Sequence, residues 1–156
     1  MSKAIINTAV ILRQIVIGQV QAIPEQAFDH QPEGVSNTIR WNTGHVVSML
    51  EFFLSMGIPF RSGLPASHAG LFLKGTKPAD WTVTPPSKEE LIQYLSAQQK
   101  LLSEVSPVTL NEPLQVPFEM GPLKLVTVGE LFNFALMHEA IHLGIITSLA
   151  KLAPVK

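Results

Sequence analysis

The stretch HEAIH, at positions 138–142, brings together residues that can do chemistry. His138 and His142 stand four apart, so on a helix both imidazoles face one side, where they can share one metal ion. Glu139 lies between them and is a candidate general base. The pattern matches the H-E-x-x-H of zinc proteases, a different metal site, or two core histidines. A protease of that kind takes its third ligand from downstream. Here LGIITSLAKLAPVK follows, with no His, Asp, Glu or Cys, and no strand-rich half exists to hold an extended peptide.

The composition narrows the ligand chemistry. The chain has no cysteine, so any metal must use His, Asp or Glu. With 156 residues, 46% hydrophobic and 15% charged, the chain is expected to form one domain, 1–156, with a sizeable core. Net charge is −1 with no basic run, which argues against nucleic acid as a partner. The apolar N-terminus is interrupted by Arg13, Gln14, Gln19 and Gln21. The apolar stretch 131–150 contains Asn133, His138, Glu139 and His142. No small-residue cleavage site follows a short apolar block at the N-terminus, so no signal peptide is read; the later stretch is a poor membrane span, and a cytoplasmic protein without membrane contact is expected.

Four long helices must position the site. The first covers Ser2 to Ala22, with Ile5, Ala9, Leu12, Val16 and Ile23 on one face and Pro24 beyond its end. The second covers Asn37 to Met56, capped by Ser36 or Asn37. Its inward stripe is Thr38, Asn42, His45, Met49, Phe52 and Met56, polar in its first half. Residues 57–86 hold five prolines and four glycines and read as a long crossover, with a short helical turn near Ser67–Leu73. The third helix starts at a capping box, Ser87 with Glu90, buries Leu91, Leu95, Leu102 and Val105, and ends by Pro107. Residues 108–126 read as an irregular or hairpin-like excursion. The fourth helix runs from Thr127, with Glu130 three residues on, to about Leu152. Leu131, Ala135, His138, His142, Ile145 and Leu149 lie within about 40° of one line at 100° per residue, so both histidines fall in the core-facing stripe. The fold class is all-α: a four-helix bundle with a long crossover between helices two and three and a short excursion before helix four.

Two imidazoles buried on one stripe leave nitrogens that need partners, at about 1–3 kcal/mol for each unmet group. A shared metal satisfies one nitrogen of each ring. His45, at mid-stripe on the second helix, is a candidate third ligand if the two helices face one another. Thr38, Trp41 and Asn42 precede His45 by one to two turns and, with Met49, are candidates for a substrate pocket. Asn42 could also orient a ligand ring, and Trp41 could simply pack. Glu139 falls about 80° from the histidine line and Glu51 about 140° from that of helix two. His30 and His68 fall in loops and read as solvated surface, although His68 could reach a pocket if the crossover folds over it.

Three features together resemble the DinB/YfiT-like superfamily of metal-binding four-helix bundles. They are NTIRWNTGH at 37–45, HEAIHLG at 138–144, and the order of long helices, crossover and Thr-capped last helix. The resemblance covers essentially the whole chain. It implies a divalent metal, zinc or nickel, held by His45, His138 and His142, with water or substrate at the remaining positions. It further implies a hydrolase or a thiol-dependent transferase acting on a small molecule, with a low-molecular-weight thiol as a candidate co-substrate, and a homodimer. The chain departs from the family at H142-L-G-I, where H-R-G-Q is common. Two other readings stay open: a non-catalytic bundle that binds a small ligand or partner around a structural metal, and a metal-free dimer.

Overall fold

The computed structural model describes residues 2–154; Met1, Val155 and Lys156, the outermost positions of the expected 1–156 domain, lie outside them. The element order is α1 (Ser2–Ala22), α2 (Ile39–Leu54), α3 (Ser67–Phe72), α4 (Lys88–Ser103), β1 (Pro113–Met120), β2 (Leu123–Thr127) and α5 (Val128–Leu152). The chain is thus predominantly helical, not wholly so. The excursion closes into an antiparallel hairpin that turns at Gly121, φ +56°, and loses regular register between Pro113 and Phe118.

The helix boundaries follow from local chemistry. Ser87 and Thr127 each accept from the backbone N–H three residues on, and Glu90 and Glu130 bond back to the cap N–H groups. α2 starts later than its sequence pattern suggests. Its cap is Thr38, not Ser36 or Asn37, and the Thr38 side chain accepts from Trp41 N at 3.1 Å. The Arg40 N–H donates to Phe28 O, outside the helix, while the Arg40 guanidinium holds Asp29 and Glu25. Those bonds fix where the first turn begins.

Two apolar cores are stacked along the helices. One gathers Ile6, Leu50, Phe53, Leu102, Leu131 and Phe132. The other gathers Val16, Val20, Ile39, Leu91, Leu95, Ile146 and Leu149. α1 and α5 run from the first core to the second, whereas α2 and α4 run from the second to the first. α2 packs on α5 and α4, and α1 packs on α4 and α5. So α2 lies antiparallel to α5.

Between the cores lies a polar layer. Arg13 of α1, Gln98 of α4 and Glu139 of α5 are all buried there, although they belong to the most water-seeking residue types. α2 is buried on nearly every side, because α3 from the crossover covers the face that α4 and α5 leave free. Of its expected stripe only the end, Phe52 and Met56, is exposed. By length and hydropathy alone α1 could cross a membrane, but its central Arg13 is fully buried against α4 and α5.

Candidate metal centre

His45 of α2 and His138 and His142 of α5 converge on one point. Their candidate ligand nitrogens all lie within 4.8 Å of one another. The Nε2 atoms of His45 and His138 are 3.2 Å apart. Two imidazoles on one tetrahedral ion stand about 3.3 Å apart when each bond is about 2.05 Å. The antiparallel pairing of α2 and α5 makes this meeting possible.

The other side of the rings is fixed by protein. His45 Nδ1 lies 2.5 Å from Phe72 O. A carbonyl can only accept, so Nδ1 carries the proton and Nε2 keeps its lone pair. His142 Nδ1 lies 2.8 Å from Asn42 Oδ1. The Asn42 amide nitrogen donates to Thr38 O at 2.8 Å, which turns Oδ1 towards the histidine. His142 therefore donates from Nδ1 and frees Nε2 as well. Such donor bonds orient metal-binding histidines and raise their basicity.

The surroundings keep the rings neutral. Burial lowers the pKa of His45, and the Phe72 carbonyl offsets part of that shift. Burial and the neighbouring His45 hold His138 at about 4. Burial, then His45 and His138, hold His142 at about 3. At neutral pH all three present lone pairs rather than charge. Trp41 stacks on His45 with centroids 4.5 Å apart and planes at 14°, and its indole N–H is held by Thr76 Oγ1 at 2.9 Å. Phe53 stands edge-on to His138 at 5.6 Å.

Gly44 makes the Phe72 contact possible. A Cβ there would come within 2.4 Å of the Phe72 ring. Without one, the end of α3 presses against α2 and brings Phe72 O over His45.

The structure places the remaining sequence candidates as follows. Thr38, Trp41 and Asn42 touch the site, as cap, stacking ring and ring-orienting amide. Met49 is buried in the first apolar core. Glu139 points elsewhere. Its carboxylate meets Arg13 Nη2 at 2.8 Å, with both side chains buried, and Arg13 Nη1 also holds Gln98 Oε1 at 3.1 Å. Burial pushes the Glu139 carboxyl up, and Arg13 pulls it part of the way back. The α5 face turned to the core thus runs through Leu131, Ala135, Glu139 and Ile146. His138 and His142 are half-buried at its border, and Ile145 is exposed. His68 is not solvated surface: it is 3% exposed, between Phe72 and Tyr94. Phe72, Arg13 and Gln98 escape a sequence reading. Only the mid-helix Gly44 signals a close approach there.

Two helices that carry three converging, neutral imidazoles, two of them anchored at Nδ1, define a class: a mainly helical protein with a site compatible with a divalent metal. The DinB superfamily model matches residues 11–146, and the chain belongs to that superfamily. Comparison with curated proteins returns no match.

Proposed function

We propose that this protein is a metal-dependent enzyme, a hydrolase or a thiol-dependent transferase, built on the bundle of α1, α2, α4 and α5. The observation that carries the reading is the pair of Nδ1 anchors, Phe72 O and Asn42 Oδ1, which leave Nε2 of His45 and His142 free beside His138. A site meant only for packing has no need of them. Zinc or nickel suits three imidazoles. Such an ion, when bound, supplies Lewis acidity towards a substrate oxygen or sulfur. The chain contributes the rest. His45, His138 and His142 hold the ion, Asn42 and Phe72 O orient two of the rings, and Trp41 shields the His45 face from water. The half-buried borders of His138 and His142 leave an approach for a small substrate, with a low-molecular-weight thiol as the candidate co-substrate.

One observation favours a second reading. The acid next to the site, Glu139, is engaged by Arg13 and is not free to move a proton for a substrate. A protein that binds a small ligand through the ion, without turnover, would need no such group.

The test is elemental mass spectrometry on untagged protein purified without chelator, beside His142→Ala. About one equivalent of zinc or nickel, lost in the variant, is the expected result. No metal as purified, and none taken up when it is added, overturns both readings. Turnover in a screen of ester, amide and thiol-transfer substrates then separates enzyme from binder.

A further inference from the structure

The outer faces of α1 and α5 carry more apolar surface than the fold uses. Only 33% of the most apolar 18 residues of α1 are buried. Along α1 the outward line is Ala4, Thr8, Ile11, Ile15, Gly18 and Ala22, and along α5 it is Met137, Ile141, Gly144 and Ser148. All are exposed, and the four large apolar side chains among them are 52–60% exposed. The steps are four and three in alternation, the spacing of a seam that packs against another helix. After Lys3 no exposed residue of α1 is charged, and between Glu130 and Lys151 none of α5 is, whereas the shorter α4 exposes Glu89, Glu90 and Lys100.

The bond between Arg13 and Glu139 sets the register of the two parallel helices. Residues 126 apart stand at about the same height, so Ile11 is level with Met137, Ile15 with Ile141, Gly18 with Gly144 and Ala22 with Ser148. The joint face therefore has a bulky half and a hollow half. A Cβ at Gly18 or Gly144 would meet nothing within 4 Å. Glycine weakens a helix interior relative to alanine, and within one copy no neighbour requires it at either position.

We propose that this α1–α5 face is the contact surface of a homodimer, with the second copy turned end for end. A two-fold axis across the helices lays α1 on α1 and α5 on α5, antiparallel, with the bulky half of each copy over the hollow half of the other. Ile11 then meets Gly18 and Met137 meets Gly144, each contact made twice. Both pairs are seven residues apart, so one axis serves both helices. The same axis brings Glu130, seven residues before Met137, to Lys151, seven after Gly144, and these opposite charges close the rim. An uncharged centre inside a charged rim is the usual anatomy of such a contact. From Ala4 to Ala22 is about 27 Å of helix, and two helices are about 20 Å wide. Two such faces remove on the order of 1,000 Å² from water, the least that a specific interface needs. A face made for a membrane surface is instead rich in Lys and Arg at its edges.

The test is sedimentation velocity on the full chain over a wide range of concentration. The expected result is twice the chain mass, falling to the chain mass on dilution. Ile11→Glu and Ile15→Glu alter exposed side chains, so the far-UV spectrum should stay as in the parent, while dimerisation weakens at least about 100-fold. Lys151→Glu sets like charges against each other at the rim and should weaken it about threefold. The chain has no cysteine, so the double variant Met137→Cys, Gly144→Cys reports the register. On one helix these positions are about 10 Å apart, beyond the roughly 7 Å that a disulfide spans. Mild oxidation should thus give a covalent dimer from the double variant and from neither single variant. Three outcomes overturn the proposal: the chain is monomeric at every concentration, the Ile→Glu variants dimerise as the parent does, or the double variant forms no linked dimer. A monomer that sediments with neutral phosphatidylcholine vesicles would assign the face to a membrane surface instead.

Discussion

At the scale of single residues, the site depends on which nitrogen of each ring carries the proton. Asn42 sets this for His142, and its own orientation is set by Thr38 O. Asn42→Ala removes the acceptor but no ligand. Metal affinity is expected to fall about 10–100-fold, the usual effect of losing such a partner, and competition with a chromophoric chelator measures it. Asn42→Asp keeps an acceptor oxygen and should restore most of the affinity. Unchanged affinity in Asn42→Ala would show that His142 needs no orienting group. The three histidines were legible because their type and spacing are chemically distinctive. Asn42 was legible only as a polar residue one turn before a ligand. Glu139 was legible as an acid near the site, but its direction was not. Its partner Arg13 is 126 positions away, and no local pattern shows that a charge will face the core because another charge meets it there.

At the scale of elements, α3 is a six-residue helix that holds the carbonyl for His45. It can do so because α2 has no side chain at Gly44. Gly44→Ala puts a methyl where the Phe72 ring lies. Although alanine favours the helix itself, by about 1 kcal/mol, the overpacking should cost about 1–3 kcal/mol and move α3 outwards. The expected result is a lower midpoint in urea together with weaker metal binding. A Gly44→Ala protein that is stabilised and binds metal as before would show that α3 is free to shift without loss. The caps at Ser87 and Thr127 and the hairpin-like excursion could be read from the chain, since their signals are local. The start of α2 could not, because Phe28 O and the bonds of Arg40 set it from another segment.

At the scale of the whole molecule, two apolar cores enclose a layer that four helices make polar. On one side of the layer Arg13, Gln98 and Glu139 form a buried network, and on the other lie the three histidines. The pairing in the network is incomplete: among the described residues Arg13 Nε and Glu139 Oε1 have no partner. Removing one charge strands the other, so Arg13→Met alone should destabilise the protein by about 3–5 kcal/mol. The double variant Arg13→Met, Glu139→Leu should recover most of that loss, because apolar pairs of similar volume often replace buried ion pairs at little cost. Chemical denaturation of the parent, both single variants and the double variant closes this cycle. Additive losses would mean that the two charges are not coupled. The order of the long helices and the crossover was readable from period and caps. The layer was not, since it arises where four separated segments meet at one height.

The same layer gives stability a pH dependence whose sign can be worked out. His138 and His142 have folded pKa values of about 4 and about 3, below their ordinary value of 6.5, and burial lowers His45 and His68 too. Below pH 6.5 the unfolded chain takes up protons that the folded chain refuses. Stability is therefore complete above about pH 6.5 and falls as the pH drops towards 4 and then 3. The metal-free protein should show this as a urea midpoint that declines steadily from pH 7 to pH 4.5. Double replacement of His138 and His142 by Gln should flatten the decline. Metal adds a second contribution with the same sign, because an ion that binds only the folded state stabilises it, and protons compete for its ligands. Metal-loaded protein should thus lose stability more steeply than metal-free protein over the same range, and the two curves should merge at low pH. Curves that stay parallel would mean that the ion is held by groups other than these imidazoles.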